Sequence, residues 1–211
     1  MSRSRRPVVA YTIPVYENED GPRYCIYSDA YGLEMNIDDE WPIDTILLAA
    51  PDLVDVITDE TDVTSMGTVF AGASTAGDFA SIVRAKGKFV ALQTDDDIAA
   101  ALTAGLSVIL RCDPDTDLAV ALNDLALDST NLVVALNFAA APSPAEADSI
   151  ASTHRESLGN LGCADARMIL CCDIDENTIN NYLSTSNVDG VLLIDASFDT
   201  VNEILSTIAA G

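Results

Sequence analysis

Short apolar runs alternate with polar segments of helical spacing along most of this chain. The runs fall in PVVAYTI (7–13), TILLAAP (45–51), VDVIT (54–58), KFVALQ (88–93), SVILRC (107–112), NLVVALN (131–137), RMILCC (167–172) and DGVLLI (189–194). Each is strand-sized and nearly continuous in apolar character, which predicts strands buried on both faces. Between them, AGDFASIVRAKG (76–87) sets Phe79, Ile82 and Val83 at helical spacing, with Gly87 suited to a C-terminal turn. DDDIAAALTAG (95–105) predicts a helix that starts on acids and ends on glycine, as the helix dipole favours. TDLAVALNDLAL (116–127), SPAEADSIASTHRESLG (143–159), DENTINNYLSTS (175–186) and FDTVNEILSTIAA (198–210) predict four more helices. In the second of these Ser143 can cap, Pro144 suits the first turn and Gly159 the end.

Eight strands separated or followed by at least six helices predict a parallel sheet covered on its outer face. Eight such units in 211 residues sit at the small end of the (β/α)8 barrel range. The rival is a doubly wound open sheet, which normally carries a glycine-rich turn after its first strand. Here the first strand runs into IPVYENEDGP, which has no such turn. The first quarter is irregular. RYCIYSDAYGLEMNI (23–37) alternates around Ser28 and Asp29 and reads as a hairpin, and no covering helix fits between Pro51 and Val54. The expectation is one compact α/β barrel domain over residues 1–211, its first outer helices lost or replaced by a hairpin-like segment.

Charge changes the picture of what such a barrel could bind. Thirty-four acids face ten bases, for a net charge of −24. Nucleic acid and anionic membranes are repelled by such a surface, because both are held largely through Lys and Arg. No apolar run approaches the roughly 20 residues that cross a bilayer. The acidity suits either a highly solvated surface or a partner with basic surfaces. The five cysteines, Cys25, Cys112, Cys163, Cys171 and Cys172, are odd in number and show no C-x-x-C spacing. They suit neither a disulfide framework nor a zinc site, which predicts the cytoplasm or another reducing compartment. The basic SRSRR (2–6) has no apolar segment after it and reads as a frayed start.

Several segments, in order and at matching spacing, resemble the triosephosphate isomerase family. FAGASTAGDF (70–79), AGLSVILRC (104–112), NLVVALNFAAAPSPAEADSI (131–150) and NVDGVLLIDAS (187–197) carry the resemblance, with LLAAP (47–51) before them. It covers about two thirds of the chain and implies a TIM barrel. It also implies where the family's functional residues would stand. The Asn-x-Lys after the first strand corresponds to Thr12 and Pro14. The histidine after the fourth corresponds to Thr94, and the catalytic glutamate after the sixth to Asn137. The phosphate-gripping glycines and serine correspond to Cys172 and Asp173 after the seventh strand, and to Ile194 and Asp195 after the eighth. The flexible lid is shortened to 139–142. His154, the sole histidine, lies in the helix after strand six and is expected at the surface. The family's dimer loop corresponds to TDETDVTSMGTVF (58–70), which is acidic and lacks the family's residues.

The base, the electrophile and the phosphate anchor are therefore all replaced, and the isomerisation needs the three together. The resemblance implies a catalytically inactive relative, with no cofactor, acting as a structural or interaction subunit. Tyr24, Tyr27, Tyr31 and Trp41 form its candidate contact surface. A second reading places new chemistry at the barrel mouth, where Asp95 and Asp96, Asp113 and Asp115, Asp173, and Asp195 fall at strand ends. Three or four of them converging would suit a divalent cation or a cationic ligand. Of these, Asp95, Asp113, Asp173 and Asp195 are the candidate ligands. Retained isomerase activity is the least favoured reading.

Overall fold

Eight parallel strands close into a barrel in chain order, with β1 pairing to both β2 and β8. The computed structural model describes residues 5–17 and 19–211. The strands are β1 Val8–Thr12, β2 Asp44–Ala49, β3 Val69–Ala73, β4 Phe89–Gln93, β5 Ser107–Cys112, β6 Leu132–Asn137, β7 Arg167–Cys171 and β8 Gly190–Leu193. A helix follows each: α1 Gly21–Asn36, α2 Val54–Asp59, α3 Phe79–Arg84, α4 Ile98–Thr103, α5 Leu118–Ala121, α6 Pro144–Asn160, α7 Ile179–Leu183 and α8 Phe198–Ala210.

Alternation along the strands sorts their side chains into two layers. Val8, Ala10, Ile46, Leu48, Phe89, Ala91, Ile109, Val133, Ala135, Ile169 and Leu192 pack together inside the barrel. The intervening residues, such as Val9, Leu47, Val90, Val108, Val134, Met168 and Val191, pack outward among the helices. Both faces are buried, which is why the strands read as continuous apolar runs.

The first quarter departs from the hairpin expectation. Residues 23–37 form most of α1, which buries Cys25, Ile26, Ala30 and Leu33. Ile26, Ala30 and Leu33 recur at four and three residues, a helical spacing. Tyr24 and Tyr31 lie off that face and produce the apparent alternation. VDVIT is likewise not a strand. It forms α2, burying Val54, Val56 and Ile57, and the third strand is Val69–Ala73 instead. The first outer helices are thus present rather than lost: α1 has 16 residues, and it is α2, α3 and α4 with six each, α7 with five and α5 with four that are short. The 58–70 segment joins α2 to β3 through a 3-10 turn at Val63–Ser65, so it is not a loop after the third strand.

Polar side chains set several helix starts. Asp78, Asp97, Asp117, Ser143 and Ser197 each accept a hydrogen bond from a first-turn N–H, each cap being worth about 1 kcal/mol. Part of the aspartate excess is therefore structural. The ends differ from expectation in detail. Lys86, not Gly87, takes the left-handed conformation after α3, and Gly162, not Gly159, does so after α6. The helix expected over 116–127 stops at Ala121, and Asp124 turns the chain with φ 60°.

The N-terminal end of the barrel is closed by ion pairs that the sequence reading missed. Asp189, fully buried before β8, pairs with Arg155 and with Arg5 at 3.0 Å, and it accepts from the Met168 N–H at 3.0 Å. Asp44 pairs with Arg167 and with Arg6 at 3.1 Å. Two arginines of the expected frayed start are therefore held; residues 1–4 lie outside the described residues.

Candidate functional site

Strand register brings the residues singled out in the sequence to one end of the barrel. Thr12 ends β1, with Pro14 two residues beyond it. Thr94 follows β4, Asn137 ends β6, Cys172 and Asp173 follow β7, and Ile194 and Asp195 follow β8. This is the C-terminal mouth, where barrels of this kind place their chemistry. A cavity of about 490 Å³ opens there, lined on one side by Cys171, Cys172 and Asp173 and on the other by Ile194 and Asp195.

The side chains at these positions are mostly neutral or apolar. Asn137 has a neutral amide, whose Oδ1 is buried without a hydrogen-bond partner. Thr94 is exposed and carries no imidazole. His154 is buried, not at the surface as expected. It lies on α6 and its Nε2 donates to the Pro114 carbonyl at 2.9 Å, tying the loop after β5 to that helix. Burial pushes the Cys172 thiol up to about 12, with Cys171 and Asp173 adding to the effect, so it is protonated at neutral pH and a poor nucleophile. Burial also raises the Cys171 thiol, and the neighbouring Arg111 guanidinium partly offsets the rise.

The turn after β8 has an unusual backbone angle. Asp195 has φ 59°, the left-handed region that glycine enters without cost. The turn presents a carboxylate at the mouth. Its charge and that of Asp173 oppose a dianion; at ~5 Å and an effective dielectric of 20, each unit pair costs about 3 kcal/mol before screening. The β6–α6 loop is short and held, because Tyr182 on α7 donates its hydroxyl to the Pro142 carbonyl at 2.6 Å.

The candidate cation ligands do not gather. Asp95, Asp113, Asp173 and Asp195 are all exposed. Among the described residues no group of three His, Cys, Asp or Glu side chains is placed to hold a metal ion. Asp96 instead accepts from the Gln93 N–H at 2.7 Å, closing the turn after β4.

Of the aromatic candidates, Tyr24 and Tyr31 are exposed on α1, while Tyr27 and Trp41 are half-buried against the core. Tyr27 and Tyr31 stack with ring centroids 5.7 Å apart. Met35 extends the exposed stripe one turn further.

One functional candidate escaped the sequence reading. Arg111 on β5 follows Ile109 by two residues, and Ile109 points into the barrel, so Arg111 does too. Its signal was a cation at an inward step of an otherwise apolar strand.

No family model and no curated protein matches this chain. Among solved structures, the triosephosphate isomerase of Bartonella henselae superposes with a TM-score of 0.75. The match covers 98% of this chain and 100% of that one, at 13% identity. The chain thus has the triosephosphate isomerase fold, and its chemistry has to be read from the residues at the mouth.

Proposed function

We propose that this protein descends from a triosephosphate isomerase, no longer isomerises, and works through its outer surface as a subunit or adaptor of a protein assembly. The observation that carries the reading is the set of residues at the mouth. Asn137, Thr94 and Pro14 lie at or just beyond strand ends of the mouth, the positions that the resemblance assigns to a base, an electrophile and a cation, and Asp195 holds a glycine-like φ of 59°. That backbone angle supports descent, since a turn built for glycine has outlasted the glycine. The tethered β6–α6 loop supports loss of activity, because an enediolate needs a lid that closes and excludes water.

The surface role draws support from the exposed Tyr24, Tyr31 and Met35 on α1. Beside them Glu34, Glu60 and Asp62 line a shallow recess with Tyr27 and Tyr31. Stacked aromatic rings rimmed by carboxylates suit an Arg or Lys side chain from a basic partner.

The test is a coupled assay with glyceraldehyde 3-phosphate and purified protein. The expected result is no turnover above the uncatalysed rate at any protein concentration. Turnover that scales with protein and survives chromatographic repurification would overturn the reading.

A further inference from the structure

The described cations are almost all engaged. Arg5, Arg6, Arg23, Lys86, Arg155 and Arg167 form ion pairs. Arg84 meets Ser81, and Lys88 lies over the Phe70 ring at 5.3 Å. Arg111 differs. It is half-buried, faces the barrel interior, and forms no ion pair among the described residues. Its Nε is sealed from solvent and has no hydrogen-bond partner. In a chain with 34 acids, the absence of an ion pair here is not for want of carboxylates. A buried guanidinium nitrogen without a partner is costly, because its lost hydration is not replaced.

A second unmatched group stands beside it. Arg111 is in register with Ala135 on β6, and Asn137 is the next inward step along that strand. The Asn137 Oδ1 is also buried and without a partner. Cys171, in register with Asn137 on β7, is the one protein group among the described residues that the guanidinium meets there, a neutral thiol within hydrogen-bond reach that leaves its charge unbalanced. Gln93, in register with Arg111 on β4, adds an exposed amide at the rim. A cationic fork and a lone acceptor thus converge on the barrel axis, in a layer directly above the apolar plug of Ile109, Val133, Ala135 and Ile169.

We propose that this layer is a binding site for a small monocarboxylate that carries a hydrogen-bond donor next to its carboxylate, such as a short 2-hydroxy acid. The planar carboxylate matches the guanidinium fork. The adjacent hydroxyl donates to the Asn137 Oδ1. A phosphate dianion suits the site less, because a single guanidinium balances one negative charge and the neighbouring cavity, which shares Cys171, carries the carboxylates of Asp173 and Asp195. The resident arginine comes from β5, not from any of the positions that the isomerase resemblance assigns.

The test is calorimetric titration of the full chain in low-salt buffer with glycolate and, separately, with inorganic phosphate. The variant Arg111→Met keeps the length of the side chain and removes the charge. Glycolate is expected to bind saturably to the unaltered protein, and at least tenfold more weakly to Arg111→Met. Without ligand, Arg111→Met is expected to melt no lower than the unaltered protein, since it removes an uncompensated cation. Absence of saturable glycolate binding, equal binding by the variant, or preference for phosphate would each overturn the proposal. A ligand-free variant that melts well below the unaltered protein would also overturn it, by making Arg111 a structural residue. These outcomes are independent of the isomerase assay.

Discussion

Asp29 shows how one buried carboxyl can make stability depend on pH. It sits on α1 and accepts a hydrogen bond from the Tyr11 hydroxyl at 2.6 Å. Burial holds its carboxyl above the ordinary range, and the Tyr11 donor offsets this only in part. The folded state therefore binds this proton more tightly than the unfolded chain does. The stability contributed by the protonated form is fully present below the ordinary carboxylate pKa and is lost as pH rises through the raised folded value. Asp29→Asn removes the charge and leaves an acceptor for Tyr11. It is expected to melt above the unaltered protein at pH 7, with the gap closing as pH falls toward 4. Thermal melts of both proteins across that range check it; a gap that stays constant with pH would show that charge is not its cause. Arg111 is the contrasting residue. Its inward step follows from period-two alternation in SVILRC, so its direction was legible in the sequence. Its lack of an ion pair was not, because that depends on where all 34 acids end up.

At the scale of elements, legibility followed the number of buried faces. Seven of the eight strands stood out because both faces pack, which leaves no polar positions to blur the run. VDVIT misled for a related reason: a helix of six residues that buries three apolar side chains looks like a short strand. The α1 helix was hidden by its outer face, where Tyr24, Tyr31 and Met35 add apolar positions that do not pack inward. A helix that exposes three large apolar side chains while its own buried face is complete has surface to spare for a partner. Tyr24→Ser combined with Tyr31→Ser is expected to leave the melting temperature nearly unchanged, because neither ring supports the core. In native affinity purification the unaltered protein is expected to retain a stoichiometric partner that the double variant loses. An unaltered protein that elutes alone, or a partner held equally by both, would remove this face from consideration. The mouth positions were legible from strand ends alone; the left-handed Asp195 was not, since its residue type does not announce that angle, nor was the Tyr182 tether of the β6–α6 loop, which joins residues 40 apart.

At the scale of the whole molecule, the ten bases are distributed against the charge balance. Four arginines, Arg5, Arg6, Arg155 and Arg167, converge on Asp44 and Asp189 at the N-terminal end of the barrel. That concentration ties the chain's start, α6 and three strand entries together, and it leaves the rest of the surface strongly acidic. Two electrostatic effects then compete when salt is added. Screening weakens attraction between exposed partners such as Lys86 and Asp59, and it weakens repulsion among the remaining surface carboxylates. Exposed pairs are worth little each, whereas a net charge of −24 repels itself over the entire surface. The pairs at Asp189 are buried and feel salt least. Repulsion should therefore be the term that salt relieves. Raising sodium chloride from about 0.05 to 1 M shrinks the screening length several-fold and is expected to raise the melting temperature. A relief of about 2 kcal/mol would appear as a rise of ~4–8 °C in a chain of this length. A melting temperature that falls with salt would mean that surface ion pairs, rather than the excess of acids, dominate the electrostatics of this barrel.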